Sequence, residues 1–196
     1  MEKLISEIRD LIRSPGSTFE RLKATETSQS EITKNMLIYL AAIPAVAGFL
    51  GRVVIGYNTA FYTGYARVSF FSGLISAILM FVLTIIGVYV ISYIVNGLAV
   101  NFGGEKSELN AFKLTVYSFI PVLVLGVFSL VPSLSGLYIL GLYGVYVFYV
   151  GAPILMQVKE DKVLTYTVII SLISIVITIL FDRIAKLVIV TKMPSL

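Results

Sequence analysis

The sequence predicts an all-α membrane protein, a bundle of five transmembrane helices preceded by a short amphipathic helix. Three observations lead there. Residues 69–104 and 114–158 carry no charged side chain. Apolar residues make up 58% of the chain and charged residues 13%, against about 45–50% and about 25% in ordinary globular domains. The mean hydropathy is +0.95. A soluble helix must show water a polar face, so long tracts without charge are solvated by lipid.

The first element in chain order is a cytoplasmic amphipathic segment, residues 1–33. Leu4, Ile5, Ile8, Leu11 and Ile12 recur at helical spacing between charged residues. This helix is too short and too charged to span. It is expected to lie in the interface or to cap the bundle. Pro15 and Gly16 stop it. Ser17 and Glu20 read as a capping box for a second short helix bearing Phe19 and Leu22. Leu4, Ile8, Leu11 and Phe19 are the candidate surface-association positions, toward lipid or a docked cytoplasmic protein.

A membrane domain, residues 34–190, follows. A spanning helix needs about 20 apolar residues at about 1.5 Å each. Five segments qualify, at about residues 35–55, 71–100, 114–130, 134–157 and 163–181, before a tail at 191–196. Val131-Pro132-Ser133 reads as a tight hairpin, and Asn101-Phe102-Gly103-Gly104 as a turn. The longer loop near residues 56–68 carries Tyr57, Tyr62 and Tyr65, which suit the headgroup layer. Ile184, Leu187, Val188 and Val190, beyond the last span, are expected to continue as a partly interfacial helix.

Ten of the 15 Lys and Arg residues, among them Lys106, Lys113, Lys159 and Lys162, fall on the side of the amino terminus. The positive-inside rule makes that side cytoplasmic and puts the carboxy terminus outside. The first residues do not form a cleavable signal peptide. With every charge assigned to a loop, a terminus or an interface, the bilayer interior is expected to hold nothing titratable near neutral pH. Carboxylate-coupled transport is then the least supported transport mechanism.

Cysteine and histidine are absent, which removes disulfides, thiolate and imidazole metal sites, and Cys or His catalysis. No nucleophile elbow or intramembrane Asp pair is present. The expectation is a non-enzyme without cofactor or metal. The +4 charge is spread over termini and loops, so no nucleic-acid partner is expected.

The remaining candidates lie within the spans. Pro44 and Pro121 sit in similar contexts, and each frees a backbone carbonyl and bends its helix. They fit simple packing kinks, or a site between broken helices of a repeated hairpin. Gly136, Gly141, Gly144 and Gly151 alternate with Tyr138, Tyr143, Tyr146 and Tyr149 in span four, which fits close helix packing or a groove. With Tyr117, Tyr143, Tyr146 and Asn96, the two prolines form the candidate kink and groove set.

Several pieces in order carry a family resemblance. They are Ser14-Pro15 with Thr18-Phe19 and Leu22, then Ala42-Ile43-Pro44-Ala45, Asn101-Phe102-Gly103-Gly104 and Ala111-Phe112-Lys113-Leu114. Tyr117-Ser118-Phe119-Ile120-Pro121, Leu142-Tyr143-Gly144 and Gly151-Ala152-Pro153-Ile154-Leu155-Met156 follow. Over roughly residues 10–180 the chain resembles the Yip1 family in its short prokaryotic form. The resemblance implies five spans with a cytoplasmic amino terminus. Eukaryotic relatives act in vesicle traffic and associate with Rab GTPases and with one another. Their longer hydrophilic amino-terminal region, with its Asp-Leu-Tyr-Gly-Pro motif, has no counterpart here, and the resemblance transfers no catalytic residue.

The function expected is a non-enzymatic membrane protein that organises membrane or partner proteins. Its expected partners are membrane lipids, a second copy of the chain, or a cytoplasmic protein. The alternative is a channel, transporter or flippase for an uncharged or amphiphilic solute, with its site near the kinked helices. A continuous polar cavity would favour the alternative, and a tightly packed interior the first reading.

Overall fold

The computed structural model describes residues 2–59, 62–187 and 191–192, without the side chains of 2–3, 57–66, 132, 133, 135, 138, 191 and 192. The headgroup role expected of Tyr57, Tyr62 and Tyr65, the helical continuation through Val188 and Val190, and most of the tail lie outside what is described. So does the Tyr138 side chain.

Two short helices, α1 (Glu2–Arg13) and α2 (Pro15–Ala24), precede five helices long and apolar enough to cross a membrane. Span one is Gln29–Ile55, span two Phe70–Phe102, span three Glu108–Leu130, span four Ile139–Met156 and span five Glu160–Lys186. The architecture is an all-α membrane bundle. Between spans one and two, the expected loop is instead a hairpin of β1 (Tyr57–Thr59) and β2 (Tyr62–Val68), with β3 (Thr191–Lys192) on its edge. Tyr57 pairs with Ala66.

The α1–α2 junction follows from Ser14-Pro15. Ser14 is non-helical, with φ −150° and ψ 79°. Pro15 then starts α2, because its fixed φ suits a first helical position and its missing N–H is no loss there. The expected Ser17–Glu20 capping box is therefore one turn late. The Ser17 hydroxyl instead donates back to the Ser14 carbonyl at 3.1 Å.

Span three is the centre of the bundle, packing on spans one, two and four. It is 67% buried over its apolar window, against 22% for span five. Small residues set its neighbours' distance. A Cβ added at Gly126 would stand 2.6 Å from the Pro44 Cβ, so spans one and three meet there almost backbone to backbone. Gly144 admits the Ser118 backbone carbonyl, and Gly151 admits Phe19 and Leu114. Spans two and five are tied by the Tyr166 hydroxyl, which donates to the Val95 carbonyl at 2.7 Å.

Substituting Gly126 by Val drives a branched side chain into Pro44 and should cost about 1–3 kcal/mol, the range for overpacking. Outside its own helical turn, Gly97 in span two has no atom of the described residues within 4 Å of where a Cβ would stand. Gly97→Ala should therefore be neutral or slightly stabilising. Unfolding of both variants in the same detergent checks the pair, and equal effects would contradict the seam.

Candidate functional site

A helix leaves its last carbonyls without intrahelical partners. At the end of α2, Lys113 supplies them. Its ammonium donates to the Leu22 carbonyl at 2.6 Å and to the Thr25 carbonyl at 2.8 Å. Lys113 is only 1% exposed, about a turn and a half into span three. Its placement follows from Ser107, whose side chain accepts the Asn110 N–H at 3.3 Å and starts that helix at Glu108. The lysine expected in a loop is thus a buried helical residue.

Two further bonds hold α1 and α2 down. Arg21 donates both terminal nitrogens to Glu7, at 2.9 and 2.8 Å, in the bidentate geometry that suits a carboxylate. The Tyr117 hydroxyl donates to the same carboxylate at 3.3 Å. Glu7 is 8% exposed. The bond to Glu7 is the main influence raising the Arg21 pKa above its ordinary value, against the opposing effect of burial. The Tyr143 hydroxyl donates to the Ile12 carbonyl at 2.9 Å.

Under this cap lies a cavity of about 510 Å³, between the two short helices, the start of span one and span three. Leu4, Leu22, Ile32 and Met36 form its apolar walls. Glu7, Arg21 and Tyr117 line one part of it, and Thr27, Glu31, Asn35 and Tyr39 are also in its wall. The Thr27 hydroxyl is buried and has no hydrogen-bond partner among the described residues. The cavity offers hydrogen-bond donors, acceptors and apolar surface in one place, as small-molecule sites do.

Of the groove candidates, only Tyr117 lines this cavity. Pro121 is buried inside span three, and Pro44 fills the seam against Gly126, so neither proline lines the cavity. Tyr143 tethers α1 and contacts the ring of Tyr146, whose side chain is exposed. Asn96 accepts the Ser107 N–H at 2.8 Å and pins the end of span two to the start of span three. Among the surface candidates, Leu11 and Phe19 are fully buried, which corrects their reading as surface contacts: their apolar face is spent on the bundle. Leu4 and Ile8 are half-buried against the same core, while Ile5 and Ile12 face outward.

Sequence reading missed Glu7, Arg21 and Lys113, because charges near a membrane surface read as solvated. A signal for Lys113 was present in Ser107-Glu108, a helix start that puts the lysine inside the helix. Replacing Lys113 by Met leaves the Thr25 carbonyl without its ammonium partner and the Leu22 carbonyl with only the Thr25 N–H at 3.3 Å, at a cost of about 1–3 kcal/mol. Trypsin should then cut at exposed Lys23 about tenfold faster or more, while the five spans stay intact, as read by limited proteolysis and mass spectrometry. An unchanged cutting rate would contradict the clamp.

The chain is 26% identical over 149 residues to Inner membrane protein YohC of Escherichia coli strain K12, covering 74% of this chain and 75% of that protein. The same protein from Escherichia coli O6:H1 matches equally. No solved structure matches. The family model described as the Yip1 domain matches residues 9–181, a stretch that includes Arg21, Lys113 and Tyr117. The chain is therefore a multi-pass membrane protein that belongs to the Yip1 domain family.

Proposed function

We propose that this protein is a non-enzymatic organiser of the membrane or of partner proteins within it. The observation that carries the reading is the closed interior. Spans one and three meet at Pro44 and Gly126, and spans three and four at Ser118 and Gly144, with no room for an added Cβ. Helices that approach this closely leave no polar passage along those seams. The large outward surface of the bundle is apolar: on spans two and five, Phe71, Tyr93, Leu172 and Val176 are 75%, 78%, 59% and 65% exposed. That surface suits lipid or another membrane helix.

The proposal includes an orientation. The amino-terminal side, richer in Lys and Arg, faces the cytoplasm, and the cavity opens there.

Photo-cross-linking side chains placed at Leu172 and Val176 in intact cells test the role. The expected result is a discrete protein adduct, either a second copy or a partner. Purified protein in liposomes should add no flux of ions or small solutes over empty vesicles. Lipid adducts alone, together with flux abolished by Pro44→Leu and Pro121→Leu, would favour a transporter and overturn the organiser.

A further inference from the structure

The cavity under α1 and α2 is lined by more polar groups than its own bonds use. Glu7 accepts two bonds from Arg21 and one from Tyr117, three of the about four that a carboxylate can take. Arg21 still has N–H groups free of Glu7, since a guanidinium carries five and that pair uses two. Its side chain is 48% exposed, with Asp10 standing 3.8 Å from one nitrogen. Because Glu7 and Arg21 cancel, the Glu31 carboxylate gives the cavity wall its residual charge. Thr27, Asn35 and Tyr39 bring further oxygens, and the Thr27 hydroxyl is buried without a partner among the described residues.

These groups select a ligand. The spare Arg21 donors suit a phosphate oxygen. Glu31 and the neighbouring oxygens suit a cation that can itself donate hydrogen bonds, which a primary ammonium does and a trimethylammonium cannot. Leu4, Leu22, Ile32 and Met36 suit hydrocarbon. Depth points the same way. Glu31 lies in the polar start of span one, whereas Met36 and Tyr39 lie where its apolar run begins, about 12 Å further along the helix for Tyr39. The cavity therefore crosses from the headgroup layer to the edge of the hydrocarbon. Its volume of about 510 Å³ is within the range of small-ligand sites, roughly 300–1,000 Å³.

We propose that this cavity is a binding site for a zwitterionic phospholipid bearing a primary ammonium, a phosphoethanolamine headgroup with the first carbons of its chains. The phosphate sits on Arg21 and the ammonium on Glu31 and Thr27. The site stands apart from the organiser reading, since a lipid bound here is compatible with either role of the bundle.

Calorimetric titration of the full chain in detergent provides the test. The probes are dihexanoyl phosphatidylethanolamine, dihexanoyl phosphatidylcholine, dihexanoyl phosphatidylglycerol and free phosphoethanolamine. The ethanolamine lipid should bind about tenfold more tightly than the other two lipids, the scale of one charge-assisted hydrogen bond. Glu31→Gln, a near-isosteric change at an exposed residue, should erase that preference. Thr27→Val should weaken the ethanolamine lipid several-fold and leave the choline lipid unchanged. Equal binding of the three lipids, a preference for phosphatidylglycerol, or a preference that survives Glu31→Gln would overturn the site. Free phosphoethanolamine binding as tightly as the lipid would overturn the membrane as its source.

Discussion

A lysine ammonium cannot be left bare inside a bundle of apolar helices, and this constraint organises the amino-terminal half of the molecule. Taking a charge out of water costs several kcal/mol unless hydrogen bonds replace its hydration. Lys113 obtains them from neutral groups, the carbonyls of Leu22 and Thr25. These are not weak partners. The peptide dipoles of α2 add along its axis and give that end roughly half a negative charge. One of the two bonds satisfies the Thr25 carbonyl, and the other adds to the Leu22 carbonyl, which the Thr25 N–H caps at 3.3 Å. The contact holds only while the end of α2 stays docked at Lys113 of span three.

The rest of the cap follows from that position. With α2 fixed, Phe19 reaches the space left by Gly151, and Arg21 comes within reach of Glu7. The Glu7–Arg21 pair draws α1 over the mouth of the bundle, and Tyr117 and Tyr143 meet it from below. The two short helices are therefore part of the packed core. Between the two short helices, the start of span one and span three, a cavity stays open. Further into the bundle, glycine seams close the helices on one another. The molecule combines a shut interior with a recess at one end.

Much of this fold was legible because a bilayer imposes so strong a rule on composition. Charge-free tracts announce spans whatever the details of packing. Their edges were less legible: a helix begins in polar residues before its apolar run, as Ser107 and Glu108 show for span three. The candidate site was mostly hidden. Tyr117 could be singled out as a polar ring inside an apolar span. Nothing in the spacing of Glu7, Arg21 and Lys113 says that they converge, because their partners lie 14 to 110 positions away in the chain. The amphipathic face of α1 was plain, but an apolar stripe fits lipid and protein equally. Only the position of α2 across span four decides between them.

The most direct measurement of the account is the docking of α2 on the bundle. Where a Cβ would stand on Gly16, the side chain of Val150 is 3.8 Å away. The chain has no cysteine, so the double variant Gly16→Cys, Val150→Cys reports this contact without background. Mild oxidation in native membranes should join the two residues rapidly and almost completely within one chain, as a cap packed on span four requires. Failure to cross-link, with both cysteines open to alkylation, would contradict it and return α1 and α2 to the membrane surface.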